Sequence, residues 1–283
     1  MLVFVRGGLR TARVRWAIGL LLYAGLAAPG LGFAVASWVW LSSALDGSLA
    51  NRTLLKELDP NVFIDLFVHH RPSLRMLLVA GTLLLVGVWC GWVWLHATAV
   101  AALGEDPSLP RAARRGFELV PRFLRLSLLA NTLQATMFGA GHLVARHLVD
   151  WTAGSGREMP YYAILTATVA VVGSAVAFLA SVHDHARIHV AATDAGAVRA
   201  YAWALRFVGG WEPRAFPLSL LLLVLTGALW ALYQSLGLLL PAASMTGVIL
   251  SLLWGQVLLL GRCLVRLAAY AAAAQLQAVS TGV

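Results

Sequence analysis

The sequence predicts an all-α polytopic membrane protein. It reads as a helical bundle of about six transmembrane helices with cytoplasmic interfacial amphipathic helices. Three observations carry this. Charged residues are only 12% of the 283-residue chain and apolar ones 60%, where a soluble globular chain carries about 25% charged residues. Mean hydropathy is +0.80, and apolar runs of spanning length recur. Basic residues cluster beside those runs. No polar stretch is long enough to bury a soluble core, so residues 1–283 read as a single integral membrane domain.

The first span covers about 16–44, preceded by Arg6, Arg10, Arg13 and Arg15. Ala34-Val35-Ala36 resembles a signal cleavage site, but the apolar run far exceeds the 7–15 residues of a signal core. Pro29 is expected to kink this span. A polar loop follows, with Asp59 and Pro60 opening a short helix whose apolar face is Phe63, Leu66 and Phe67. The second and third spans cover about 74–103 and 123–149. A link from Asp150 to Pro160 leads to the fourth, about 161–182. The fifth covers about 215–240, and Pro241 begins a tight turn. The sixth covers about 246–266 and continues as an amphipathic tail to about Gln277.

Basic segments precede three spans: Val5 to Arg15, Arg111 to Arg125, and Ala195 to Val208. The chain thus reads as three units of one design. The last segment is expected to start at an Asp194 cap and stop at Gly209-Gly210. Val198, Tyr201, Leu205 and Val208 share one helical face, with Arg199 and Arg206 off it, the pattern of a helix lying on a membrane surface.

The net charge is +9, and Lys56 is the only lysine. In a soluble protein this balance would suggest nucleic acid. Here the arginines flank spans and set orientation, so no nucleic-acid partner is expected. On a six-span scheme about fifteen of the 21 basic residues fall on the side of both termini and about six on the other. The positive-inside rule puts both termini in the cytoplasm. Abundant Ala, Leu, Arg and Gly suggest a bacterial source, hence an inner (cytoplasmic) membrane. Cys90 and Cys263 lie in apolar runs without a CxxC partner, so neither a disulfide framework nor a metal cluster follows.

Candidate chemistry is sparse. His183, Asp184, His185 and His189 form the most metal-like string, since His185 and His189 share a helical face. A zinc site needs further ligands and carboxylate support, so the plainer reading is a polar collar where the fourth span leaves the bilayer. Asp65, His69 and His70 read as a solvated helix face, and Asn51-Arg52-Thr53 as an uninformative sequon. No Asp or Glu lies well inside a span, which counts against ion-coupled transport. No P-loop or nucleophile elbow occurs, and no cofactor is expected.

The third span carries a polar face: Ser127, Asn131, Gln134, Phe138, His142 and Arg146 fall within about a third of the helix circumference. It reads as interhelical bonding or as a groove for a lipid headgroup or peptide. His96, Asn131 and Gln256 lie roughly 9–14 Å in from the cytoplasmic ends of their spans, which predicts one shared polar seam. Asp184 and Arg187, three apart, are expected to pair with each other or to tie the fourth span to a surface helix.

The string Asp184-His185-Ala186-Arg187-Ile188, followed by Ala200, Leu205, Arg206 and Phe207, resembles a motif of uncharacterised bacterial six-span inner-membrane proteins. There an Asp-aromatic-Ala-Arg-aliphatic string ends the fourth span, and an Ala- and Arg-rich amphipathic helix precedes the fifth. His185 stands where an aromatic is usual. The resemblance implies a six-span fold with interfacial helices and no particular activity. The expected function is non-enzymatic, a structural or accessory component packing with membrane lipids, other membrane proteins or itself. The alternatives are a transporter or flippase-like protein for a lipid or other amphiphile, and a membrane enzyme with a histidine metal site.

Overall fold

The structure, a computed structural model, describes residues 1–45, 68, 71–104, 108–153, 158–237 and 245–282. The expectations for Asn51 to Thr53, the Asp59 helix, Asp65, His69, His70 and the turn at Pro241 lie outside these residues. The described chain is helical throughout. Its elements are α1 (Leu2–Val14), α2 (Trp16–Leu45), α3 (Arg71–Ala101), α4 (Leu109–Ala153), α5 (Glu158–Thr193), α6 (Ala197–Arg206), a π-helical turn (Phe207–Trp211), α7 (Ala215–Gly237) and α8 (Met245–Thr281). Contacts divide the chain into two compact units, Tyr23–Trp92 and the remainder.

Among the described residues, five helices are long and apolar enough to cross a membrane: α2, α3, α5, α7 and α8. The third expected span lies within α4, which is not among them. At 45 residues it is about 67 Å long, ample for a bilayer core of about 30 Å. Its hydropathy is diluted by the arginines before Leu126 and by Asn131, Gln134, His142, Arg146 and His147 beyond it. Pro29 and Pro121 both lie inside helices, in α2 and α4.

In the smaller unit the Phe33 ring lies against Gly81, 3.0 Å from where a Cβ would stand. In the larger unit the core sits at one end of the long helices. It holds Leu22 of α2, Val93 to Val100 of α3, Leu119 to Ala130 of α4, Val182 to Val190 of α5, Leu218 and Leu222 of α7, and Cys263 to Leu276 of α8. Beyond Ala130, Ser181, Leu222 and Cys263, toward the other end of α4, α5, α7 and α8, Gly247 is the single buried residue among those whose exposure is described. Leu143, Val169, Val171, Leu223, Leu252 and Leu253 are exposed there. Such apolar surface belongs in lipid or against a partner.

Small residues build the packed end. Gly8 of α1 meets the Ala268 carbonyl and Ala272 of α8, so α1 lies flush on the alanine-rich end of that helix. Gly116 of α4 faces Thr98 of α3, where a Cβ would stand only 2.7–2.8 Å from the Thr98 backbone. Neither position has room for a side chain without a helix shift.

Three boundaries differ from expectation. The helix does not stop near Val182, because α5 runs on to Thr193, and the polar string beyond Val182 is packed in the core. Asp194 does not cap α6. It sits at φ 56°, a left-handed conformation Asp tolerates better than most residues, and its N–H bonds the Val190 carbonyl to close α5; Gly196 caps α6. The buried face of α6 is Ala197, Ala200, Tyr201 and Ala204, whereas Val198 and Leu205 are exposed. Alanines, not the larger residues, permit the close approach. Gly209 and Gly210 lie within the π-helical turn, which ends at Trp211.

A buried polar network as the candidate functional site

Helical spacing puts Asp184 and Arg187 on one side of α5, and Arg266 and Tyr270 on one side of α8. These two helices face each other. Arg266 holds Asp184 in a two-pronged ion pair, with Nη1 to Oδ2 at 2.8 Å and Nη2 to Oδ1 at 2.5 Å. Arg187 is only loosely placed on Asp184, at 3.9 Å. It instead donates to the Tyr270 hydroxyl at 2.8 Å and to Ser127 Oγ of α4 at 3.1 Å. Its guanidinium lies over the Phe123 ring, 5.9 Å from the centroid. The expected tie to a surface helix is thus a tie between two long helices. Bidentate Arg–carboxylate geometry explains why Arg266 prevails over the i, i+3 neighbour.

The Tyr270 hydroxyl is the hub. It accepts from Arg187 and from Arg266, the latter at 3.2 Å, and also bonds His96 Nδ1 of α3. With two arginines donating to the oxygen, the phenolic proton is left for His96 Nδ1. Arg266 further lies 4.7 Å from the Tyr270 ring centroid. His96, Ser127, Arg187 and Tyr270 are buried. One hydroxyl therefore joins α3, α5 and α8, and Arg187 adds α4.

A second cluster adjoins it. Gln277 donates to the His185 carbonyl at 3.0 Å and bonds His185 Nδ1 at 2.8 Å. The His185 ring packs on Phe207 at 5.0 Å, and His189 stacks on Trp203 at 4.0 Å. His185 thus packs against a ring as an aromatic side chain would. His185 turns to Gln277 and Phe207 and His189 to Trp203, while buried His183 has no hydrogen-bond partner at Nδ1, and among the described residues no three His, Cys, Asp or Glu groups converge as metal ligands.

The seam expected from His96, Asn131 and Gln256 is not what these helices build. His96 belongs to the Tyr270 hub, Asn131 is exposed on α4, and Gln256 is half-buried on α8. The buried polar position of α4 is Ser127, one turn earlier. Gln134 is half-buried, and His142 exposed. The sequence reasoning passed over Arg266, Tyr270 and Gln277. Their available signal was an Arg-x-x-x-Tyr step and a glutamine set in an alanine-rich helix, where small neighbours let another helix come close.

Ion pairs at the loops complete the packed end. Asp194 takes Arg115 Nη2 at 2.8 Å and also Arg122 of α4, which hold its carboxyl below the usual range. Arg214 chelates Glu212 through Nε at 2.6 Å and Nη2 at 2.8 Å, and Ser280 of α8 donates to the same carboxylate. These bonds, Arg214 foremost, bring Glu212 down to about 2. Comparison with protein-family models, curated proteins and solved structures finds no match for this chain.

Proposed function

We propose that this is a non-enzymatic structural or accessory component of a bacterial inner membrane, working through lipids or partner membrane proteins at its apolar surface. One observation carries the reading. The charged groups best placed for chemistry, Asp184, Arg187 and Arg266, are committed to one another and to Tyr270. In this reading α4 is a sixth span, crossing where Asn131 to Val149 lie, and both termini are cytoplasmic, as the arginine distribution favours. On α6, Val198, Ala202 and Leu205 form an exposed stripe beside Arg199 and Arg206, which suits a helix resting on anionic headgroups. The exposed Leu2, Val3, Leu9, Arg6, Arg10 and Arg13 of α1 suit the same role.

A second reading, a protein that moves a lipid or other amphiphile, is favoured by one feature. Asn131, Gln134, His142 and Arg146 make a polar stripe on α4, of which Asn131, His142 and Arg146 are exposed. Polar groups facing hydrocarbon are costly unless they serve a headgroup path or a partner.

Purification in gentle detergent followed by native mass spectrometry, with reconstitution into liposomes carrying a fluorescent phospholipid, separates these. The accessory reading expects a copurifying protein or retained lipid and no acceleration of lipid movement between leaflets. Accelerated movement would establish the second reading, and a stoichiometric metal would reopen the enzyme class.

A further inference from the structure

Antiparallel α7 and α8 leave a groove of about 210 Å³ between them. Its walls are largely apolar, from Leu229 and Trp230 on one helix to Leu258 and Leu259 on the other, with Thr226 and Tyr233 beside them and Arg262 at one end. The volume is below the roughly 300–1,000 Å³ of sites that enclose a whole small molecule. It suits a segment of a chain whose remainder lies outside. Gly255 lies opposite Tyr233, where the nearest ring atom is 3.9 Å from where a Cβ would stand.

Arg262 is the distinctive group. One turn further along α8, Arg266 is neutralised by Asp184. Arg262 is exposed, and no carboxylate among the described residues lies within ion-pair reach of it. A guanidinium on an otherwise apolar face of a membrane helix requires an anionic partner or an aqueous border. The apolar groove beside it calls for hydrocarbon. A phospholipid with an anionic headgroup supplies both at the required spacing, with phosphate on the guanidinium and an acyl chain along the groove.

We propose that the α7–α8 groove is a binding site for an anionic phospholipid, with Arg262 holding the phosphate and Leu229, Trp230, Leu258 and Leu259 holding one acyl chain. The site rests on the reading that this protein works through its lipid contacts, and it names the lipid class and place. Trp230 lines the groove and is itself exposed, so a chain lying there would cover it.

The test is native mass spectrometry of the full chain in mild detergent, titrated with dioleoylphosphatidylglycerol and, separately, dioleoylphosphatidylcholine. The parent should retain phosphatidylglycerol in preference to phosphatidylcholine. Arg262→Gln should weaken phosphatidylglycerol retention about fivefold or more, the worth of one basic residue near a lipid surface, and Arg262→Lys should largely restore it. Leu259→Trp, which fills the groove and keeps the arginine, should lose retention as well, and this variant decides the matter if Arg262→Gln folds poorly. Equal retention of the two lipids, or undiminished phosphatidylglycerol retention in Leu259→Trp or a folded Arg262→Gln, overturns the site. The liposome assay reports separately: lipid movement between leaflets would remove the accessory reading whether or not Arg262 binds lipid.

Discussion

Tyr270 ties together groups that the sequence separates widely, and its hydroxyl is the atom on which the bonds of three helices converge. Tyr270→Phe keeps the packed ring but removes one bond to His96 and one from each of two arginines. A buried donor left unmade costs about 1–3 kcal/mol, so thermal stability in detergent should fall clearly. Asp184→Ala should cost more, about 3–5 kcal/mol, because it leaves Arg266 without its carboxylate; the partial exposure of Arg266 favours the lower end. A double-mutant cycle should give strong coupling between 184 and 266 and weak coupling between 184 and 187. The reverse order would contradict the assignment of Arg266 as the main partner. That partner lies 82 positions along the chain, which is why i, i+3 spacing pointed to Arg187 instead. Spacing reports neighbours on one helix and says nothing about which distant helix packs against it.

Among elements, the ends of the helices carry the acid sensitivity. Asp194 and Glu212 both have carboxyl groups held below their ordinary values. A carboxylate depressed on folding contributes stability that is present above its unfolded value and lost as pH falls through its folded one. For Glu212 that window runs from 4.5 down to about 2. The melting temperature should therefore drop across this range, and Glu212→Gln should flatten part of the drop. Asp194 is half exposed, so its contribution is small. Close helix contacts make a separate prediction. Gly116→Val should push α4 from Thr98 and destabilise the packed end, while a change at Gly139, with open space around its Cα, should be tolerated. A thermal shift no larger at Gly116 than at Gly139 would count against that contact. Apolar runs made most long helices legible in advance. The packed face of α6 was not, since periodicity marked Val198, Tyr201, Leu205 and Val208 as its membrane face and gave no sign that Ala197, Ala200 and Ala204 pack against the core.

For the whole molecule, burial and charge follow the same axis in the larger unit. The buried network, the tight glycine contacts and most of the arginines lie at one end of the long helices, and exposed apolar side chains dominate the other. Composition pointed to the membrane, and the apolar runs marked the five described helices that are long and apolar enough to cross one. The polar face of α4 was visible too, but whether it bonds within the chain depends on packing, which periodicity does not record. In the proposed topology the packed, arginine-rich end is cytoplasmic. The most direct test is labelling of single cysteines at Ala192 and Ser155, in a background lacking Cys90 and Cys263, with a membrane-impermeant maleimide in intact cells. Both should label once detergent is added. Ser155→Cys alone should label in intact cells, with Ala192→Cys protected; labelling of Ala192→Cys with protection of Ser155→Cys would contradict the account.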